Sequence, residues 1–145
     1  MEATNIKKLL DACFTAKHVI ETMPQLPKGM KPRHIHVLDQ VSMIWEAERQ
    51  CRVGDVSEGL GITMPSITRL IQELERMELL EKYPDKEDKR VTLLRLTKKG
   101  EACVKKYVHD FHREWAENLG SVSDRQVQEA IRLIEQLDAA MPRRK

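Results

Sequence analysis

At 145 residues, 41% apolar and 33% charged, the chain has the size and composition of one folded domain and is too apolar to be disordered. No apolar run exceeds three residues, which excludes a spanning helix and the apolar block of a secretory signal and makes the cytoplasm the expected location. Basic residues outnumber acidic ones only 25 to 23, so net charge alone does not indicate nucleic acid, and the three scattered cysteines without a C-x-x-C pair argue against a disulfide framework.

In chain order, Ile6, Leu9, Leu10, Cys13, Phe14, Ala16 and Ile20 recur at steps of three and four and predict an amphipathic helix from Thr4 to Glu21. Two prolines and a glycine between Met23 and Gly29 stop it. A second helix opens with Pro32 in its first turn, carries Val37, Leu38, Val41, Ile44 and Trp45 on one side, and ends in the polar stretch Glu46 to Arg52. A short helix from Asp55 to Leu60, the connection Gly61-Ile62-Thr63 and a longer helix from Met64 to Met77, capped by Thr63, have helix-turn-helix spacing.

Two β-prone runs follow, Leu79 to Tyr83 and Val91 to Leu96, joined by a charged tip from Pro84 to Arg90, and read as a hairpin beside the helix pair. Thr97 caps a long helix with the stripe Val104, Val108, Phe111, Trp115 and Leu119, interrupted at Gly120. The last helix starts at Ser123, where Gln126 completes a capping box, and shows Val127, Ala130, Ile131, Ile134, Leu137 and Met141. The predicted fold is therefore mainly α with one small β-hairpin.

At 100° per residue, Ile67, Leu70, Ile71, Leu74 and Met77 share one side of the Met64 to Met77 helix, and Pro65, Arg69, Gln72 and Arg76 lie almost opposite. Arg and Gln suit the major groove, because Arg makes paired hydrogen bonds to guanine and Gln to adenine. Thr63, Ser66 and Thr68, with the open amides of the first turn, suit phosphate oxygens. Between Leu80 and Gly100 seven basic residues (Lys82, Lys86, Lys89, Arg90, Arg95, Lys98 and Lys99) face four acidic ones (Glu81, Asp85, Glu87 and Asp88), so a local excess of positive charge directly follows the helix pair. Lys86, Lys89 and Arg90 are the candidate wing contacts, Arg90 as the residue that enters the narrow minor groove and Asp88 as the carboxylate that orients it. No nucleophile with its base, paired carboxylates or phosphate-binding glycine loop appears at recognisable spacing, so an enzyme is not expected.

The run Val56-Ser57-Glu58-Gly59-Leu60-Gly61-Ile62-Thr63, then Ser66-Ile67-Thr68-Arg69-Leu70-Ile71 and Leu74-Glu75, resembles the helix-turn-helix of the MarR family of winged-helix regulators. Pro84, Asp88-Lys89-Arg90 and Leu96-Thr97-Lys98-Lys99-Gly100 are similar to that family's wing and the entry to its next helix. Gly54 in place of a Ser or Thr cap, Ser57 in place of a common Ala, and Gly59 depart from the pattern. The resemblance implies a single domain over 1–145, with a DNA-binding lobe over 32–100 and dimerisation helices over 1–22 and 101–145. It also implies a homodimer that binds double-stranded DNA at a roughly palindromic operator, represses nearby genes and leaves when a small-molecule effector, oxidant or metal acts.

Pairing of two chains would bury the apolar stripes of the end helices, for which Ile6, Leu9, Leu10, Val127, Ile131, Ile134, Leu137 and Met141 are the candidate interface. Two sensing chemistries stay open beside an organic effector: zinc held by His34, His109 and His112, with Asp110 or Glu114 as oxygen ligands, and thiol oxidation at Cys13. Zinc aside, no cofactor is expected. Solvated or hydrogen-bonded histidines and a buried, inert Cys13 are the ordinary alternatives, and a winged-helix module that binds another protein is the rival function.

Overall fold

The structure, a computed structural model, describes residues 1–142. The expected segment 101–145 therefore has its last three residues outside the described residues. The elements run α1 (Ala3–Ile20), α2 (Pro32–Glu48), α3 (Val53–Leu60), α4 (Met64–Arg76), β1 (Leu80–Pro84), β2 (Thr92–Leu96), α5 (Lys98–Val104), a π-helical turn (Lys105–Asp110), α6 (Phe111–Asn118) and α7 (Asp124–Ala140). Among the described residues no helix is long and apolar enough to cross a membrane.

Two compact units divide the chain, Met1–Phe111 and the residues from His112 onward. In the first, Ile35, Leu38 and Val41 of α2, Val56 of α3, Ile67, Ile71 and Leu74 of α4, Leu94 of β2 and Val104 of α5 form one aliphatic core. Each such side chain contributes about 1.5–3 kcal/mol through burial. β1 and β2 pair antiparallel, with Leu80 opposite Leu96 and Pro84 opposite Thr92. Just before α3 the chain adds a further edge to this hairpin: the Leu94 N–H donates to the Cys51 carbonyl at 2.8 Å, and Arg52 bridges Leu93.

The turn between α3 and α4 is fixed locally. Gly61 takes the left-handed conformation (φ 64°), and the Ser57 hydroxyl donates to the Ile62 carbonyl at 2.5 Å. Thr97 caps α5 as expected, its hydroxyl accepting the Gly100 N–H at 3.0 Å while it donates to the Glu78 carbonyl at 2.7 Å. Gly100 is required by packing, since a Cβ there would stand 2.0 Å from the Leu79 carbonyl oxygen.

Three local expectations are corrected. α3 begins at Val53, two residues before Asp55, because the Asp55 carboxylate accepts the Arg52 N–H at 3.0 Å; Arg52 is thus the cap, and Gly54 lies inside the helix. Thr63 occupies the cap position of α4 with extended backbone, but its hydroxyl turns to that of Ser66 at 3.0 Å and caps no amide. The long helix after Thr97 contains a π-helical turn at 105–110 that a uniform period of 3.6 does not anticipate.

Neither α1 nor α7 contains a buried residue. Leu10, Phe14 and Ile20 of α1 stand exposed, as do Val127, Ile131 and Ile134 of α7.

Candidate nucleic-acid interface

α4 is held by its inner side, where Ile67, Leu70, Ile71 and Leu74 are buried. On its outer side Pro65, Thr68, Arg69, Gln72 and Arg76 are exposed, and Ser66 is half-buried. Pro65 sits in the first turn, where a missing N–H costs nothing, so the helix presents an unobstructed ridge from its N-terminal end.

The hairpin tip is shaped by its own acidic residues. Asp85 Oδ1 accepts the Glu87 N–H at 3.0 Å, and the Val91 N–H closes on the Asp88 carbonyl at 3.0 Å. Asp88 Oδ1 takes the backbone N–H of Arg90 and its Nε, each at 3.1 Å, while Oδ2 takes Nη2 at 3.3 Å. These bonds, the side-chain pair first, hold the Asp88 carboxyl below the ordinary aspartate range. The Arg90 side chain is nevertheless 91% exposed, so it is oriented without being hidden. Lys86 and Lys89 are exposed beside it.

Further down the hairpin, Lys82 pairs with Glu75 of α4 at 3.0 Å. Arg95 bonds Glu81 at 2.8 Å and covers the Tyr83 ring at 4.6 Å. Between helix and hairpin lies an open cleft of about 450 Å³, lined in part by Arg52 and Gly54, Met64 and Thr68 of α4, and Lys82 and Thr92 of the hairpin. Its lining includes the cationic residues Arg52 and Lys82 and the hydroxyl-bearing Thr68 and Thr92.

Sequence reasoning missed two residues here. Arg52 reaches the cleft only because its segment pairs with β2, which no local pattern encodes. Glu73, one residue past Gln72, bonds the ring of His34 on α2, 39 positions earlier. A glutamate beside the exposed ridge of Arg69, Gln72 and Arg76 was the signal available.

The sensing candidates fare differently. His34 is buried with both ring nitrogens engaged, Nδ1 by the Lys31 N–H at 2.9 Å and Nε2 by Glu73 Oε2 at 2.5 Å, so it has no lone pair left for zinc. Among the described residues no group of three or more His, Cys, Asp or Glu side chains is placed to hold a metal ion. His109 is exposed on the π-helical turn, and His112 opens the second unit. Cys13 is exposed rather than buried, on a helix in which no residue is buried. Cys51 is the buried thiol: burial first, then the field of Asp55, pushes its pKa up to about 12.

The MarR family model matches residues 33–92, the stretch from the start of α2 to the start of β2. Among solved structures, FabT of Streptococcus pneumoniae in complex with DNA is 24% identical, covering 95% of this chain and 96% of its own, with a TM-score of 0.69. BpsR of Bordetella bronchiseptica, whose DNA binding is regulated by 6-hydroxynicotinic acid, is 19% identical over 92% of this chain and 98% of its own, also at 0.69. The MepR–DNA complex of S. aureus, 18% identical over 97% and 99%, gives 0.64. At such identities the likeness is one of fold: helices framing a helix-turn-helix and a two-stranded wing. The chain thus carries a segment matched by the MarR family model within the winged helix-turn-helix fold that these solved structures share.

Proposed function

We propose that this regulator is a repressor that binds a palindromic operator as a homodimer and is released by a small-molecule ligand. The observation that carries the DNA reading is the exposed ridge Pro65, Arg69, Gln72 and Arg76, backed by the buried face of α4 and followed by the exposed cations of the hairpin tip. In this reading Arg69 and Gln72 touch base edges, with Arg76 further along the groove. Thr63, Ser66 and Thr68 hold phosphates at the head of α4, joined by Lys86 and Lys89 at the wing. Arg90, aimed by Asp88, enters the minor groove. The ridge carries no large apolar side chain of the kind that anchors a protein partner, which weighs against the protein-binding rival.

The exposed apolar residues of α1 and α7 support the homodimer. A surface so placed is ordinarily covered by a second copy, here through Ile6, Leu9, Leu10, Val127, Ile131, Ile134, Leu137 and Met141. The lobe over 32–100 then reads DNA while 1–22 and 101–145 join the copies, which sets the two reading helices about 34 Å apart, one duplex turn. A ligand that favours another spacing shifts the population away from the DNA-bound state. Regulation of BpsR by a hydroxylated aromatic acid supports an organic effector. The protein acts without catalysis, in the cytoplasm, where the chromosome lies open to it.

Selection of duplexes from a random pool, followed by gel shift on the selected sequence, tests this reading. Enrichment of an inverted repeat with half-sites one turn apart is the expected result, with release by a hydroxylated aromatic acid. Failure to enrich any duplex overturns it.

A further inference from the structure

His34 and Glu73 join α2 to the reading helix, yet neither belongs to the contact ridge. The His34 ring is 1% exposed, and its Nδ1 accepts the Lys31 N–H at 2.9 Å. A nitrogen that accepts cannot carry the proton, so the ring proton sits on Nε2 and is donated to Glu73 Oε2 at 2.5 Å. That bond, ahead of the nearby charges, lowers the Glu73 pKa and keeps its carboxylate ionised. The cations whose fields also reach this carboxylate are Lys31 and Arg69. Arg69 lies four residues before Glu73 on α4, the spacing at which helix side chains meet. Among the described residues, however, Arg69 donates no hydrogen bond.

We propose that His34 is a positioning residue for base reading: by holding the Glu73 carboxylate it fixes α4 against the start of α2 and keeps that carboxylate from closing on Arg69. The guanidinium is then available for a base. This inference rests on the reading of Arg69 as a base contact. It assigns His34 a role in selectivity, where the sequence suggested a metal ligand.

The test is a set of affinities of the full chain for its selected duplex and for a scrambled one, with wild type, Arg69→Ala, His34→Ala, Glu73→Gln and the double variant His34→Ala, Glu73→Gln. His34→Ala should lose about tenfold in affinity for the selected duplex and little for the scrambled one, because the freed carboxylate captures the base-reading arginine. Adding Glu73→Gln should restore most of that loss, since a neutral amide has no charge with which to hold Arg69. A residue that merely supported packing would give no such rescue, and absence of rescue overturns the proposal. His34→Gln, whose amide reaches Glu73 as the Nε2–H does, should stay near wild type; a loss as large as that of the alanine variant also overturns it. Should His34→Ala fail to fold, ¹⁵N-detected ring spectra of the wild type decide the matter, with an Nδ1–H tautomer at His34 refuting the geometry. If Arg69→Ala binds the selected duplex like wild type, the base-contact reading itself fails, which the His34 variants alone would not reveal.

Discussion

The carboxylate of Asp88 grips Arg90 at three points, its backbone N–H and Nε at 3.1 Å and its Nη2 at 3.3 Å, while the arginine side chain stays 91% exposed. Such a brace limits the directions a long side chain samples, which would lower the ordering cost of the proposed minor-groove contact. Asp88→Ala is expected to lower the preference for A·T-rich sequence at the wing position about threefold, and Arg90→Ala to abolish it. Non-specific affinity should rise slightly in Asp88→Ala, because a negative charge near the phosphates is gone. Competition binding with duplexes differing only under the wing measures both.

Base readers and phosphate holders should separate experimentally. Arg69→Ala and Gln72→Ala are each expected to cost about 1–3 kcal/mol on the selected duplex and to relax selectivity at particular positions. Lys86→Ala should weaken all duplexes alike and flatten the salt slope by about 0.9 per copy of the protein bound. Equal behaviour of all three variants would contradict the docking.

Glu73 gives a pH dependence of defined sign. Its carboxyl lies below the ordinary value of 4.5 through the His34 hydrogen bond, so the folded state binds that proton more weakly than the unfolded chain does. The resulting stability is present above about pH 4.5 and is lost as pH falls through the lower folded value. Urea unfolding of wild type and Glu73→Gln from pH 7 to 3 should show the wild-type advantage shrinking on acidification. An advantage that grows towards acid would refute the assignment.

Ile134 of α7 is 58% exposed in the single chain, so Ile134→Asp should leave the fold of the protomer nearly intact. In the proposed dimer the same change buries a charge, and monomers by light scattering together with loss of tight operator binding are expected. A wild type that is monomeric at micromolar concentration would remove the basis for the prediction.

Much of the lobe is legible from neighbouring residues because its determinants are local. The inner stripe of α4, the Thr97 cap three residues before Gly100 and the box of Ser123 with Gln126 all follow from spacing along one helix, and the structure forms them. The start of α3 was misplaced because Asp55 works backwards, accepting the N–H of Arg52 instead of opening the helix itself. The choice between the two readings of His34 was closed to the sequence for a different reason. Its partner lies 39 residues away, and a histidine on a helix carries no local mark of whether a metal or a carboxylate will meet it. Cys13 illustrates a third limit, since an apolar stripe shows what should be covered and not which chain supplies the cover.

The edge that Cys51 and Arg52 add to the hairpin through Leu94 and Leu93 has a mechanical meaning. With its base stitched to the segment that leads into α3, and its side pinned to α4 through Lys82 and Glu75, the wing cannot swing apart from the helices beside it without breaking backbone bonds. Helix pair and wing thus travel as a single rigid piece, so in the proposed dimer an inducer would gain leverage by changing how far apart two such pieces sit, and little by loosening either one.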